Sequence, residues 1–406
     1  MTIGIHHSSY LKFHGRMSCV FVAIRQRAGL RGMRIGINLI YLLPGLVGGT
    51  EVYARGLLEK LSIIDQEDEF IVFVNQEAAE WPLPRSRNFT RIICPIKGSN
   101  RSGRYLFEQL RLPNLLRKNT IDLVHSLGYV GPLASPCPSI VTLPDLNYID
   151  VGNTMGLVKR RMLRFFSMQT AQRADHIITI SNFSKKRLNE ALRLPNKKIT
   201  VIYLAAGQEA DIGGDNSWPK LARIYGIAEP YIVVFGGGSL HKNIPLLIQA
   251  FAGLKERIAH NLVLIGRLPA NVDLATVSIQ KELKKRVVAT NYVPASHINP
   301  LLSHADLFVL PSLYEGFGMP VLEAQQAGVA VACSNAASLP EVGGKGALYF
   351  DPKSIDAITE AIWGCLSDKT LRQELCRLGK ENLKRFSWER TAAETLAIYR
   401  QVMKRE

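Results

Sequence analysis

Short apolar runs alternate with longer amphipathic segments along most of the chain. The apolar runs have the length of buried strands and are bounded by polar or glycine-rich turns. In the first half they cover residues 34–39, 70–74, 91–95, 122–125, 140–143, 176–180 and 199–203. Between them apolar residues recur at helical spacing, for example at positions 105, 106, 112, 115 and 116. This alternation predicts an α/β fold with a parallel, doubly wound sheet.

The alternation is interrupted once, near the middle of the chain. Residues 207–215 form a polar, glycine-rich stretch that is typical of a linker. Beyond it, strand-like runs return at 231–235, 262–265, 287–290, 307–310, 330–332 and 347–350. We therefore predict two Rossmann-like halves with a ligand cleft between them, because such sheets bind ligands beyond the carboxyl ends of their strands. The predicted domains are 33–206 and 207–388, and residues 389–406 form a final helix.

Residues 1–32 differ from the rest of the chain. They contain no acidic residue, and their basic residues are Lys12, Arg16, Arg25, Arg27 and Arg31. The apolar run at 19–24 is too short for a signal-peptide core. Because Met33 opens the first predicted strand, we interpret 1–32 as an extension outside the fold, with Met33 as the natural start. A basic arm that touches a membrane is the alternative.

Length, cysteines and charge limit the class of protein. A chain of 406 residues suggests two or three domains. Its six cysteines form no C-x-x-C pair, which argues against a zinc site or disulfide framework and favours a reducing compartment such as the cytoplasm. No apolar run approaches the ~20 residues of a spanning helix. The net charge of +16 fits nucleic acid, an anionic membrane surface or an anionic substrate, but no nucleic-acid motif accompanies it.

Residues 311–324 carry the densest chemistry in the sequence. They read Pro-Ser-Leu-Tyr-Glu-Gly-Phe-Gly-Met-Pro-Val-Leu-Glu-Ala and follow the apolar run at 307–310. Pro320 suits the first position of a helix, where its missing N–H costs nothing. The free backbone donors of that helix would belong to Val321, Leu322 and Glu323. A helix N-terminus of this kind holds anions, so the stretch predicts a diphosphate site.

Two glycines and two glutamates complete this stretch. Gly316 and Gly318 allow the backbone to approach a ligand closely. Glu315 and Glu323 would repel phosphate, so we expect them to contact a sugar ring, a ribose diol or a developing cation. The pattern, with seven residues between the two glutamates, resembles the E-x7-E signature of the retaining glycosyltransferases of family 4.

The resemblance implies a fold and a set of site residues. Family 4 enzymes have the GT-B fold, in which two Rossmann-like domains face a cleft and the C-terminal helix crosses back to the first domain. In this sequence the resemblance assigns a catalytic role near the donor sugar to Glu315. It assigns donor binding to Gly316, Phe317, Gly318, Met319, Val321, Leu322 and Glu323.

Other segments match the family more loosely. Gly48 and Gly49 follow the first strand, where backbone amides would approach the donor; an ordinary glycine turn is the alternative. His125 ends a strand and is expected to face the cleft near the donor sugar, as a catalytic residue, unless it is a packing histidine. Lys242 follows the glycine-rich turn after residue 235 and would hold the diphosphate.

The sequence also departs from the family. Pro144 stands where the family usually has a histidine before the aspartate, so a role for that histidine cannot be carried over, although Asp145 remains. The turn before Lys242 lacks the arginine that often accompanies the family's lysine, and we expect Ser239 and backbone to substitute. No Asp-x-Asp pair is present, so we predict no metal and no cofactor.

The resemblance implies a retaining transfer of a sugar from a nucleoside diphosphate sugar to a hydroxyl of a growing saccharide, either free or lipid-linked. Similarity to bacterial polysaccharide enzymes favours mannose from GDP-mannose. A sugar-nucleotide epimerase of the same architecture and a non-enzymatic basic surface-binding protein are the alternatives. Basic clusters in the first half, together with the mixed apolar and cationic segment 154–166, favour peripheral binding to an anionic inner membrane leaflet.

Overall fold

The computed structural model describes residues 32–150, 156–207, 217–236, 239–266 and 283–404. Nearly all of the predicted extension 1–32 and of the predicted linker 207–215 therefore lies outside the described residues. So do two glycines of the turn before Lys242, at positions 237 and 238.

The first half of the chain forms a parallel seven-stranded sheet with strand order β3-β2-β1-β4-β5-β6-β7. Its strands are β1 (Arg34–Leu39), β2 (Glu69–Val74), β3 (Phe89–Ile93), β4 (Leu123–Ser126), β5 (Ser139–Thr142), β6 (His176–Thr179) and β7 (Ile199–Val201). Its helices are α1 (Gly49–Ile64), α2 (Arg101–Leu110), α3 (Leu112–Lys118), α4 (Asn147–Asp150), α5 (Leu157–Arg173) and α6 (Asn182–Leu192).

The second half forms a parallel six-stranded sheet with strand order β10-β9-β8-β11-β12-β13. Its strands are β8 (Tyr231–Phe235), β9 (Asn261–Ile265), β10 (Val287–Ala289), β11 (Leu307–Leu310), β12 (Val331–Ser334) and β13 (Leu348–Phe350). Its helices are α7 (Trp218–Tyr225), α8 (Ile244–Gly253), α9 (Ala295–Ser303), α10 (Met319–Gln326), α11 (Leu339–Gly343), α12 (Ile355–Ser367) and α13 (Lys369–Leu383).

The prediction of two doubly wound parallel sheets is confirmed. Each predicted apolar run forms a strand, and the observed ends lie within two residues of the predicted ends. Strand interiors are apolar on both faces because helices cover both faces, as in β11, where the consecutive residues Leu307, Phe308, Val309 and Leu310 are all fully buried. The domain limits 33–206 and 207–388 stay predictions.

The last helix, α14 (Trp388–Met403), crosses back and packs against α1 of the first half. The Trp388 indole lies against Gly56, where a Cβ would come within 2.4 Å of the ring. Trp388 Nε1 donates to the Ala206 carbonyl over 2.8 Å, and Thr391 Oγ1 donates to the Tyr203 carbonyl over 2.7 Å. These contacts confirm the expected crossing helix and tie it to the end of the first sheet.

Candidate active site

A cavity of about 1150 Å³ lies between the two halves. Loops that follow β1 and β5 of the first sheet and β8 and β11 of the second sheet line it. These loops leave the carboxyl ends of their strands, which is where ligands of parallel α/β sheets bind. The cavity therefore occupies the position that the sequence predicts for a ligand cleft.

The loop after β11 leads into α10 through a glycine cap. Gly318 has φ of 104°, which only glycine adopts readily, and a Cβ there would lie 2.6 Å from Leu339 Cδ2. Gly316, Phe317, Gly318 and Met319 line the cavity. The helix begins at Met319, one residue before the predicted start at Pro320.

The backbone donors of α10 are not all free. The Val321 N–H donates to the Gly318 carbonyl over 2.9 Å, which corrects the expectation that it is an open donor. The side chains of Val321 and Leu322 are fully buried in the core, so only their backbone could serve a ligand. The first turn of α10 nevertheless presents its N-terminal end to the cavity through Met319 and Pro320.

Glu315 and Lys242 form an ion pair on the cavity wall. Lys242 Nζ lies 2.7 Å from Glu315 Oε1, and the Ser312 hydroxyl donates to the same oxygen over 2.7 Å. Burial raises the pKa of Glu315, but Lys242 and Ser312 more than offset this, and the net shift is downward. Glu315 is therefore a carboxylate at neutral pH, and its negative charge partly neutralises the lysine.

Glu323 lies on the same wall, one helical turn into α10. Its Oε1 atom would be 3.0 Å from a Cβ on Gly207, and the Gly207 N–H hydrogen-bonds to the carboxylate. Burial raises the pKa of Glu323, against the opposing effects of Gly207 and Lys242. Both glutamates thus line one cavity with Lys242, as the sequence predicts.

The opposite wall belongs to the first half of the chain. Gly48 has φ of 55° and caps α1, and a Cβ on Gly49 would lie 2.7 Å from Met319 Cε. Asp145 faces Gly316, and its Oδ1 atom accepts hydrogen bonds from the Tyr129 hydroxyl over 2.6 Å and the Asn147 N–H over 3.0 Å. Burial raises the pKa of Asp145. This aspartate, with Pro144 before it, lines the cavity beside Glu315.

Direct hydrogen bonds join the two walls. The Gly316 carbonyl accepts from the Ser181 hydroxyl over 2.7 Å and from the Ser184 hydroxyl over 3.3 Å. Ser181 also caps α6 by accepting from the Ser184 N–H. Glu341 of the second half accepts from the Asn182 and Phe183 N–H groups at the start of α6. The loop that carries Glu315 is therefore held against the first half.

Two predicted site residues lie elsewhere. His125 does not face the cleft: its ring is fully buried, and its nitrogens hydrogen-bond to the Tyr399 hydroxyl at 2.7 Å and the Thr142 hydroxyl at 2.8 Å. It packs between the first sheet and the crossing helix, and burial lowers its pKa to about 3. Ser239 is exposed and is absent from the cavity wall as described. His241, which no motif singled out, lines the wall instead.

The described ranges contain neither a cluster of metal ligands nor a helix that could span a membrane. Within them, no three histidine, cysteine, aspartate or glutamate side chains are grouped so that they could hold a metal ion. The helices of the same ranges include none with the length and apolar character that crossing a bilayer requires.

Comparison with known proteins covers both halves. The family model described as Glycosyltransferase Family 4 matches residues 47–205, and the model described as Glycosyl transferases group 1 matches residues 221–382. The chain is 32% identical over 231 residues to the O-antigen chain mannosyltransferase B of Escherichia coli. It is 28% identical over 255 residues to the MMP alpha-(1->4)-mannosyltransferase of Mycolicibacterium hassiacum.

These two matches cover 56% and 61% of this chain, and they span about three fifths of each relative, 61% and 59% of its length. Among solved structures, sucrose-phosphate synthase from Thermosynechococcus elongatus superposes with a TM-score of 0.72 at 18% identity. That match covers 92% of this chain and 100% of the synthase chain, and at this identity it supports the fold alone. With both halves matched by family models and the two-sheet fold in place, the chain belongs to the family 4 glycosyltransferases, which have the GT-B fold.

Proposed function

We propose that this protein transfers mannose from GDP-mannose to a hydroxyl of a growing saccharide, with retention of anomeric configuration and without a metal ion. The observation that carries the proposal is the meeting of Glu315, Lys242 and Glu323 in one cavity between the two sheets. The choice of mannose as the donor sugar rests on the two mannosyltransferases that the chain resembles.

The second half supplies the groups for the donor. Lys242 and the N-terminal end of α10 stabilise the charge that develops on the leaving diphosphate, because fixed positive groups there act most strongly in the transition state. Glu323 accepts hydrogen bonds from the ribose hydroxyls of the donor. Its position beside the Gly207 backbone fixes the carboxylate before the donor arrives.

Glu315 acts on the sugar. Its carboxylate is ionised and lies beside Lys242, so it can hold a donor hydroxyl or stabilise an oxocarbenium-like transition state. When a diphosphate binds, the lysine ammonium is shared between phosphate and Glu315. In a front-face transfer, the leaving diphosphate oxygen takes the proton of the attacking acceptor hydroxyl, so no separate protein base is required.

A lipid-linked acceptor would place the enzyme at a membrane surface. Helices α2 and α5 pack together through Tyr105 and Phe166, whose ring centroids are 5.0 Å apart. Around this contact the two helices expose large apolar side chains: Leu106, Leu110, Leu157, Val158 and Phe165. Exposed cations accompany them at Arg161 and Arg164. An apolar and cationic face of this composition fits the interface of an anionic bilayer.

Vesicle flotation tests the proposed binding to an anionic membrane surface. We expect binding to vesicles with anionic lipid, weak binding to neutral vesicles, and release by moderate salt because screening shortens the range of the attraction. Replacing Arg161 and Arg164 by glutamate should reduce binding, whereas the same change at Lys380 and Lys384, on the second half, should not. Equal flotation with neutral and anionic vesicles at low salt would favour a soluble acceptor.

Ligand binding and product analysis test the activity. Because a ligand of the folded state raises apparent stability by mass action, a thermal-shift panel of nucleoside diphosphates should single out the donor's nucleotide, with GDP expected. Incubation with the labelled donor sugar and membrane extract should then give free diphosphate and a labelled acceptor. A new nucleotide sugar without an acceptor would indicate an epimerase, and no binding by any nucleotide would contradict the proposed function.

A further inference from the structure

His241 lines the cavity next to Lys242 without a role in the family pattern. It belongs to the short 3₁₀ helix Leu240–Lys242, which follows β8. Its carbonyl oxygen accepts a hydrogen bond from the Leu313 N–H over 2.8 Å, which holds it against the loop that carries Glu315. Its Nδ1 atom is buried and has no hydrogen-bond partner in the described parts of the chain. A buried nitrogen without a partner is costly, so a change in ring position that gives it one is favoured.

The cavity has few positive groups for a diphosphate. The described residues place Lys242 and Arg55 on its walls, and each lies near a carboxylate, at 2.7 Å from Glu315 and 3.4 Å from Glu51. The carboxylates on the walls outnumber these cations: Glu51, Glu59, Asp145, Glu315 and Glu323. Among the described residues, a diphosphate that enters this cavity therefore meets more carboxylates than cations, which favours a further positive group beside Lys242.

An imidazole can supply that charge near neutral pH. Burial lowers the pKa of His241, Glu315 opposes the shift from the loop after β11, and Lys242 of the same 3₁₀ helix adds to it. The ring is therefore neutral at pH 7 without a bound anion. A phosphate group beside the ring favours its protonated form, because an opposite charge at short range stabilises the cation.

We propose that His241 binds the diphosphate of the donor and takes up a proton from solvent as the donor binds. The protonated ring donates a hydrogen bond to a phosphate oxygen and adds to the charge of Lys242. This inference rests on the proposed function and adds a specific residue and a specific proton to it. It also accounts for the missing arginine beside the lysine, because a histidine that charges on binding replaces a permanent cation.

Calorimetry measures the proton directly. GDP-mannose and UDP-glucose are the probes, because their diphosphate is doubly esterified and has no group that titrates near neutrality. Titration in two buffers of different ionisation enthalpy gives the number of protons taken up per donor bound. For the wild type near pH 7 we expect uptake of a fraction of a proton up to about one. Affinity for the donor should rise as pH falls from about 8 to 6. The size of this rise should be about tenfold for each unit by which donor binding raises the pKa of His241.

Variants of His241 separate charge from hydrogen bonding. His241→Gln keeps a donor but cannot titrate, so it should lose both the proton uptake and the gain in affinity at low pH. His241→Arg carries a permanent charge, so it should bind the donor independently of pH and more tightly than the wild type at pH 8. His304→Gln is the matched control, because His304 stacks on Trp218 and does not line the cavity as described.

The outcomes distinguish a failure of the role of His241 from a failure of the proposed function. Donor binding with no proton uptake, or with the same uptake in His241→Gln, overturns the role of His241 and leaves the proposed function in place. Failure of the wild type to bind any nucleotide sugar or nucleoside diphosphate overturns both. Proton uptake that disappears in His241→Gln, persists in His304→Gln and is replaced by pH-independent binding in His241→Arg supports the inference.

Discussion

The space beside Gly316 is filled by a side chain from the other half of the molecule. A Cβ at Gly316 would lie 2.7 Å from Asp145 Oδ2, 2.8 Å from Asp145 Cβ and 3.2 Å from Asp145 Cγ. The φ angle of Gly316 is not in the positive range, so an alanine there adds no backbone strain. The substitution Gly316→Ala therefore tests one contact between the two walls of the cavity.

The size of the effect follows from this contact. Forcing an extra methyl group into a packed site costs ~1–3 kcal/mol. Here the clash pushes the loop after β11 away from the first half and strains the 2.7 Å hydrogen bond from Ser181 to the Gly316 carbonyl. If turnover requires the loop after β11 to lie against the first half, this cost lowers kcat/KM by roughly 5- to 150-fold.

A double-mutant cycle assigns the loss to Asp145. Asp145→Gly removes all three atoms that the new methyl group would meet. We expect Gly316→Ala to lower kcat/KM strongly in the wild-type background but by less than about twofold in the Asp145→Gly background. Gly364→Ala is the control, because no heavy atom other than those of its chain neighbours and its own helix backbone lies within 4 Å of its Cβ position and φ is not positive, so it should leave turnover unchanged.

Steady-state kinetics of the four proteins, with one donor and acceptor, give the coupling energy. An equal loss in both backgrounds would refute the reasoning. It would mean that the methyl group at position 316 obstructs the ligand itself, which is the role that the sequence alone suggests for this glycine.

Three further outcomes are expected. Glu323→Ala should weaken donor binding by roughly 1–3 kcal/mol, the scale for losing charged hydrogen bonds, and unchanged affinity by calorimetry would remove Glu323 from the site. Activity should survive excess chelator, since the sequence offers no Asp-x-Asp pair, and a complete loss that metal restores would contradict a metal-independent transfer. Burial raises the pKa of Asp68 to about 6, so the folded chain holds this proton more tightly than the unfolded chain and the stability that protonation provides falls as pH rises towards 6. Asp68→Asn should remove that part of the pH dependence of the unfolding free energy. If urea unfolding gives both proteins the same change in this free energy between about pH 4 and 7, the prediction is wrong.

The elements of the fold could be predicted because their signals are local. A buried parallel strand must be apolar on both faces, and a helix must repeat its apolar positions every three to four residues, so both appear in short windows of sequence. The run at 307–310 and the strand Leu307–Leu310 coincide for this reason. Strand ends are less well defined, as at 91–95 against Phe89–Ile93, because the last residues of an edge strand have few partners.

The site was predictable where its residues are adjacent in sequence. The segment that holds Glu315 and Glu323 follows β11 and opens α10, as expected, and Lys242 reaches the same cavity. His125 shows the limit of this reasoning. Its place at the end of a strand predicts a cleft residue. Instead, its ring nitrogen hydrogen-bonds to Tyr399 of the crossing helix, 274 residues away, and the ring is buried there.

The sequence by itself thus determined the two parallel sheets, the order of their elements and the family signature, because periodicity and motif spacing are properties of neighbouring residues. Only the tertiary structure decided which of these residues meet. Gly316 faces Asp145, and Lys242 pairs with Glu315, across separations of 73 residues or more that no local pattern encodes. His241 stands out only in the folded chain, where it lines the cavity and its buried Nδ1 atom has no hydrogen-bond partner among the described residues. Burial and close approach depend on how distant segments pack, so these features appear only when the chain is folded.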